Sequence, residues 1–291
     1  MFENFIQYLR FEKRFSEHTV IAYENDLKQF AEFLELEIES EAYSISASTV
    51  RSWIVGMIDQ GLTNKSVNRK LASLRTYYRW LRKEAIIEVS PMQKIQGPKN
   101  EKRLPVFAKE SELTTEKLED VFADTFEGLR DELMFELFYQ TGIRLSELIE
   151  LKETDVSEQH IKVLGKRNKE RIVPISIELK NKINIYLTQK HKGLGASKYL
   201  LVLKNGNKLY GTLVYRKINY YLGLTTSLDK KSPHILRHTF ATHMLNRGSG
   251  LETLKDLLGH ANLSATQVYT HNSFAKLTAI YSQAHPRGRN K

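Results

Sequence analysis

The stretch "SPHILRHTFATHML" (Ser232–Leu245) carries three histidines and an arginine, and what surrounds it decides how the chain is read. Ser232 and Pro233 form an N-cap and first-turn pair, and Gly248 is a C-terminal stop, so the stretch reads as a helix. His234 then lies in the first turn with Arg237 three residues on, on the same face. A helix N-terminus offers free N–H groups and the positive end of a dipole, which favour anions. An arginine fork and an imidazole beside it make a phosphate cradle. A metal site would use His234 and His238. Against it, Lys230, Lys231, Arg237 and Arg247 crowd the segment and Asp229 is the nearby carboxylate, so a divalent cation meets repulsion and few oxygen ligands. His238 and His243 read as polar members of a packed helix, held by hydrogen bonds, with Phe240, Ala241, Met244 and Leu245 on the core side.

The 291 residues suffice for two domains, and a hydrophobic content of 41% allows each a core. The net charge of +10 is unevenly spread: −6 over 1–48, +8 over 49–110, −10 over 111–159 and +18 over 160–291. Such alternation suits basic surfaces facing a polyanion and acidic ones facing away. Nucleic acid is the first candidate partner and an anionic membrane surface the second. The absence of cysteine excludes a disulfide framework and thiolate metal sites. The N-terminal "MFENFIQYLRFEKRF" is charged throughout, and no run approaches the roughly 18 apolar residues of a membrane span. The expectation is a soluble, cytoplasmic protein.

Upstream, "SEHTVIAYENDLKQFAEFLELE" spaces Val20, Tyr23, Leu27, Phe30 and Leu34 helically. "TNKSVNRKLASLRTYYRWLRKE" is clearer: Val67, Leu71, Leu74, Tyr78 and Leu81 recur at steps of four and three, opposite Lys65, Arg69, Thr76, Arg79 and Lys83. A basic helix face suits a DNA groove, and Lys65, Arg69, Ser73, Thr76 and Arg79 are the candidate contacts; a merely solvated face is the alternative. "SPMQKIQGPKNEKRLPVFAKESEL" mixes prolines with lysines and has no apolar period, so 88–110 reads as an extended basic linker. It separates a helical domain, 1–87, from a larger one, 111–291. The latter opens with helices around 111–124 and 127–140, and "QTGIRLSELIEL" breaks at Gly142 and restarts near Ser146. "HIKVLGKRNKERIVPI" is a hairpin with lysines at its tip, and "KYLLVL" is a candidate short strand. "GTLVYRKINYYLG" and "LETLKDLLGH" are helical. The fold class is mainly α with a small antiparallel β-sheet.

Four stretches, "TGIRLSEL", "LGKRNKERIVP", "HILRHTFATHML" and "LLGHANLSATQVYTH", follow one another in an order and spacing that resembles the tyrosine recombinase (phage integrase-like) family, most closely the Xer-type site-specific recombinases. "SEHTVIAYENDLKQFAEFL" and "SVNRKLASLRTYYRWL" are similar to that family's helical SAM-like core-binding domain. The resemblance covers nearly the whole chain.

The resemblance implies that Tyr269 attacks a scissile phosphate and forms a 3′-phosphotyrosyl link. Arg144 and Arg237 hold the non-bridging oxygens, Lys166 protonates the departing 5′ oxygen, and His234 and His260 assist. Such chemistry needs these types. Two guanidiniums offset the charge gathering on the equatorial oxygens, and a positioned acid contributes about 10²–10⁴-fold. Neither a metal nor another cofactor is implied. Family members often read Gly-Lys-Gly where this chain reads Gly165-Lys166-Arg167, which makes Lys169 a rival acid. An ordinary salt bridge from Arg144 to Glu147, and a helix-capping role for His260, are the plainer readings of those residues.

The resemblance further implies two domains clamping double-stranded DNA and a homotetramer, or a heterotetramer with a second recombinase, on paired recombination sites. The helix after Tyr269 would pack on a neighbouring protomer. A Xer-like role in resolving chromosome or plasmid multimers through a Holliday junction follows, with a DNA translocase as activator and the bacterial nucleoid as location. An integrase or invertase of a mobile element shares the chemistry; a non-catalytic site-specific DNA-binding protein and a metal-dependent phosphohydrolase on His234, His238 and His260 are the rivals.

Overall fold

The computed structural model describes residues 1–101, 106–165, 169–195, 197–259 and 271–288. The chain divides into two compact units, Met1–Arg103 and Leu104–Lys291.

In the first unit α1 (Glu3–Gln7) runs on as a π-helical turn, Tyr8–Glu12, followed by α2 (Glu17–Phe33), α3 (Ala47–Asp59) and α4 (Asn64–Lys83). Ser16, Ser46 and Thr63 cap α2, α3 and α4, each side chain accepting a backbone N–H three residues on. The stripe of α4 expected to be apolar is fully buried at Val67, Leu71, Leu74, Tyr78 and Leu81. Tyr77 and Trp80 widen it, with ring centroids 5.2 and 5.5 Å from Phe5.

A polar clasp ties α2 to α4. The carboxylate of Asp26, 1% exposed, accepts the Arg69 fork at 2.6 and 2.7 Å, the Lys70 ammonium at 3.2 Å and the Ser73 hydroxyl at 2.7 Å. A carboxylate removed from water is tolerated only when paired and bonded in this way. One expected DNA contact is thereby corrected, since Ser73 is buried; the Arg69 fork is engaged by Asp26 while its side chain stays 52% exposed. Periodicity placed both on the polar face, but Asp26 lies where no pattern within α4 reveals it. Lys65 and Arg79 are exposed, and the partly exposed Thr76 donates its hydroxyl to the Ala72 carbonyl.

The stretch 88–110 is docked at each end rather than free. Met92 and Ile95 are buried in the first core, and Asn68 donates to the Pro98 carbonyl at 2.7 Å. Ala108 is buried in the second core, where its N–H donates to the Thr239 hydroxyl and its carbonyl accepts from His243 Nε2. Three scattered apolar residues suffice for this docking and leave no period to read.

The second unit comprises α5 (Thr115–Leu118), α6 (Phe126–Thr141), α7 (Leu145–Glu150), β1 (His160–Leu164), β2 (Glu170–Pro174), α8 (Ile177–Leu194), α9 (Gly211–Thr225), α10 (Pro233–Asn246), α11 (Leu251–Leu258) and α12 (His271–Ala284). The hairpin is antiparallel, pairing His160 with Pro174 and Leu164 with Glu170. From Leu133 to Thr141 every residue of α6 is buried, so this central helix has no polar face. Its polar side chains are paired inside: Gln140 donates to Glu136, Ser176 donates to Gln140, and Tyr221 donates to Asp131.

Two expectations differ here. The helix over 111–124 shrinks to α5, because Thr125 caps α6 and the chain must turn before it; Phe122 instead packs on Tyr221 at 4.4 Å. "KYLLVL" forms only isolated bridges, at Lys152–Tyr199 and Val202–Lys208. It is held by the buried Lys190 ammonium, which donates to the Tyr199 and Leu200 carbonyls and pairs with Glu153. In the C-terminal helix Leu277, Tyr281 and Ala284 are buried. His285 is fully buried, its Nε2 donating to the Tyr139 carbonyl at 3.2 Å and its Nδ1 accepting the Arg287 N–H at 3.1 Å, and Arg287 pairs with Glu136. Burial pushes the His285 imidazole down to about 3, so it stays neutral. Among the described residues no helix is long and apolar enough to cross a membrane.

Both tryptophans, Trp53 and Trp80, lie in the first unit, so their fluorescence reports that unit. Asp26→Ala leaves Lys70 buried without its carboxylate, and urea unfolding followed by tryptophan fluorescence is expected to show a loss of about 3–5 kcal/mol. An unchanged midpoint would mean the clasp contributes nothing.

Candidate active site

The site is built where three chain reversals meet. The first follows α6. Gly142 ends that helix at φ 60°, and a Cβ there would lie 2.5 Å from Phe240 Cδ1 and 2.9 Å from Leu258 Cδ2. Only glycine satisfies both the left-handed backbone and the close approach. The chain then extends through Arg144, which stands at the N-cap of α7. Glu147, one turn on, accepts the Arg144 backbone N–H at 2.7 Å and an Nη1–H of its guanidinium at 2.7 Å. The plain salt bridge is therefore present, but it does not use the whole fork: Nη2 donates to the Gly259 carbonyl at 3.2 Å.

The second reversal carries α10. Ser232 occupies the N-cap position, although its side chain makes no capping hydrogen bond, and Pro233 opens the helix. His234 is exposed in the first turn. Arg237, partly buried, donates Nη1 to the Gly142 carbonyl at 2.5 Å and Nη2 to the Leu258 carbonyl at 2.7 Å. Arg144 and Arg237 thus grip the carbonyls of adjacent residues, 259 and 258. On the inner side of α10, Leu236, Thr239, Phe240, His243 and Met244 are buried, whereas Leu245 is 42% exposed and falls outside the core. His243 lies 3.2 Å from the Tyr139 hydroxyl in addition to its bond to Ala108; the buried Nε2 of His238 has no partner among the described residues.

The third reversal ends α11 at Gly259, with φ 64°. Beneath all three lies Arg171 on β2, 5% exposed. Its fork meets both Glu147 oxygens at 3.0 and 2.8 Å, and its Nε donates to the Leu257 carbonyl at 2.7 Å. The sequence reading passed over Arg171 as one more cation beside the hairpin tip; alternation along β2, which turns Arg171 and Val173 inward together, was the available signal.

Two guanidiniums, Arg144 and Arg171, therefore share one carboxylate, and Arg237 lies close enough to feel the charges of all three. Burial pushes the Glu147 carboxyl up, but hydrogen bonds and charge from Arg171, then Arg144, override it and hold it at about 2. Burial pulls Arg237 down to about 9, and Arg144 and Arg171 repel its charge further. Among the described residues Arg237 meets only carbonyls, so this part of the cluster carries surplus positive charge in a partly desolvated place. That is a site built for an anion with several oxygens to share. Lys166, His260 and Tyr269 lie outside the described residues; Lys169 is exposed, its carbonyl accepting the Gly165 N–H. Among the described residues no three of His, Asp and Glu converge as metal ligands.

Comparison with known proteins agrees with this arrangement. Residues 111–276 match the model of the phage integrase family, and residues 2–85 match that of the phage integrase N-terminal SAM-like domain. The chain belongs to the phage integrase family, the tyrosine recombinases, whose enzymes cleave and rejoin DNA. It is similar over nearly its whole length to tyrosine recombinase XerC of Staphylococcus haemolyticus, at 40% identity over 99% of this chain and 97% of that one. Tyrosine recombinase XerC of Chlorobaculum tepidum is 35% identical, over 97% and 93%. Among solved structures, XerH bound to a palindromic difH substrate superposes with a TM-score of 0.73 at 20% identity, over 96% of this chain and 83% of that one. A lambda integrase tetramer bound to a Holliday junction gives 0.61 at 18%, over 95% and 74%. At such identities the structural likeness speaks to the fold; the family membership rests on the sequence. The activity is site-specific DNA recombination by the tyrosine mechanism.

The Glu147 carboxyl has a folded value below its ordinary 4.5, so its stabilising contribution is present above 4.5 and is lost as the pH falls toward 2. The shift corresponds to about 3 kcal/mol. Glu147→Gln is expected to destabilise the second unit at pH 7 and progressively less below about pH 4.5, measured by far-UV circular dichroism in denaturant. A difference independent of pH would show that the carboxylate's charge is not what holds the cluster.

Proposed function

We propose that this chain exchanges DNA strands through Tyr269. The phenolic oxygen attacks the scissile phosphorus as the bond to the 5′ oxygen breaks. That oxygen leaves with a proton from Lys166, and the 3′-phosphotyrosyl link keeps the energy of the broken bond. Attack by the 5′ hydroxyl of a second strand reverses the step and yields a Holliday junction. Arg144 and Arg237 hold the non-bridging oxygens, and His234 and His260 assist by hydrogen bonding. The observation that carries this reading is the convergence of Arg144 and Arg237 on the end of α11, with the Arg237 fork held by backbone carbonyls among the described residues. The places of Lys166, His260 and Tyr269 rest on their motif positions. Neither ATP nor a metal enters the chemistry, because the bond energy is conserved and guanidiniums take the role of a Lewis acid.

The partner is double-stranded DNA bearing paired sites. Lys65 and Arg79 of α4 reach its phosphates, joined by Arg75, Arg82 and Lys83, which line a depression of about 450 Å³ with Ser90, Met92 and Gln93. The similarity to XerC proteins over the full chain supports a role in resolving chromosome or plasmid multimers, in the cytoplasm at the nucleoid. A tetramer, with a second recombinase or with copies of this chain, and activation by a DNA translocase complete the reading.

Two measurements test it. Incubation with nicked duplex carrying the chosen site is expected to give an SDS-resistant protein–DNA adduct that survives EDTA and disappears in Tyr269→Phe. Arg237→Ala is expected to slow its formation by about 10²–10³-fold. Loss of the adduct in EDTA would reject the mechanism. Separately, Arg79→Ala and Arg82→Ala are each expected to lower the slope of log K against log salt by about 1, uniformly across sequences. An unchanged slope would remove α4 from the DNA face.

A further inference from the structure

We infer that Arg171 is a positioning residue of the active site: through Glu147 it orients Arg144, and on its guanidinium it seats the two glycines that precede Lys166 and His260. The inference rests on reading the chain as a tyrosine recombinase.

Arg171 faces inward from β2 at a position where the strand's alternation calls for an apolar residue. It is nevertheless held on every side. All three of its nitrogens donate, two to Glu147 and one to the carbonyl of Leu257 at the end of α11. Glu147 in turn holds both the backbone and the fork of Arg144. A bidentate guanidinium fixes the plane of the carboxylate as well as its place, which an ammonium cannot do.

Two glycines rest on the same group. A Cβ at Gly259 would lie 3.1 Å from Arg171 Cδ and 3.2 Å from its Nη1, and one at Gly165 would lie 3.6 Å from Nη1 and 3.6 Å from Glu147 Oε1. Gly165 immediately precedes Lys166, and Gly259 immediately precedes His260. The hairpin, the end of α11 and the start of α7 therefore share one anchor. Shifting the anchor moves Arg144, and with it the approaches to Lys166 and His260, together. Without the Arg171 fork, Glu147 pairs with Arg144 alone and withdraws charge from the phosphate.

The test uses the full chain and a nicked suicide duplex built on the site that the wild-type protein selects from random-sequence DNA. Single-turnover adduct formation is measured at saturating protein, and site affinity by gel shift. Arg171→Lys keeps the charge and loses the fork; it is expected to slow adduct formation about 10–100-fold while the Kd stays within threefold. Gly259→Ala, which presses a methyl group on Arg171, is expected to show the same split. The double variant Arg171→Met with Glu147→Gln removes the unpaired buried carboxylate, so it guards against simple unfolding and is expected to bind DNA yet remain slow. Wild-type cleavage rates in Arg171→Lys or the double variant would overturn the inference, as would a loss of rate fully matched by a loss of affinity. Absence of an adduct in the wild-type protein would overturn the functional reading itself.

Discussion

The second unit is organised around a shortage of negative charge. Arg144, Arg171 and Arg237 approach a single buried carboxylate, Glu147, and the remaining donors are taken by the carbonyls of Gly142, Leu257, Leu258 and Gly259. Carbonyl dipoles orient a guanidinium without cancelling its charge. The result is a place in which two forks are held in position and only partly neutralised, as a phosphate with developing charge requires. Reorganisation has been completed on folding, so little remains to be done when the substrate arrives.

The scaffold serves that cluster by bringing chain reversals together. α6 is buried nearly all round and ends at Gly142; α10 crosses it and ends the same gap from the other side through Phe240; α11 closes it with Leu258. The ends of α6 and α11 contribute carbonyls, at Gly142, Leu257, Leu258 and Gly259, and α10 contributes the Arg237 fork. The polar interior of α6 follows the same logic at a distance: Glu136, paired with Arg287 and Gln140, helps hold the C-terminal segment on the core. In the first unit the Asp26 clasp fixes α2 to α4 and leaves Lys65, Arg79 and Arg82 exposed in a row along the helix.

How much of this was legible depended on whether the signal was local. The core stripe of α4, the hairpin and the helix of His234 and Arg237 follow from periods of 3.6 and 2 and were read correctly. Arg144 and Arg237 were singled out from motif resemblance, and in the structure both donate to the carbonyls that end α11. Ser73 misled because a helix pattern does not show what stands opposite a residue; Asp26, which holds it, lies forty-odd residues upstream on another helix. The docking of 88–110 escaped for a related reason, since Met92, Ile95 and Ala108 are too sparse to form a period.

The sequence by itself determined the composition of the two units, the elements with strong periodicity, and the kinds of side chain that phosphoryl transfer needs, because these depend on neighbours within a few turns or on residue chemistry alone. Only the tertiary structure decided that Arg171 sits under the site, that Glu147 is shared between two arginines, and that Arg237 is bonded to carbonyls and not to a carboxylate among the described residues. Charge pairing is settled by distance in space, and the burial that strengthens it exists only after separate elements have closed over the same point.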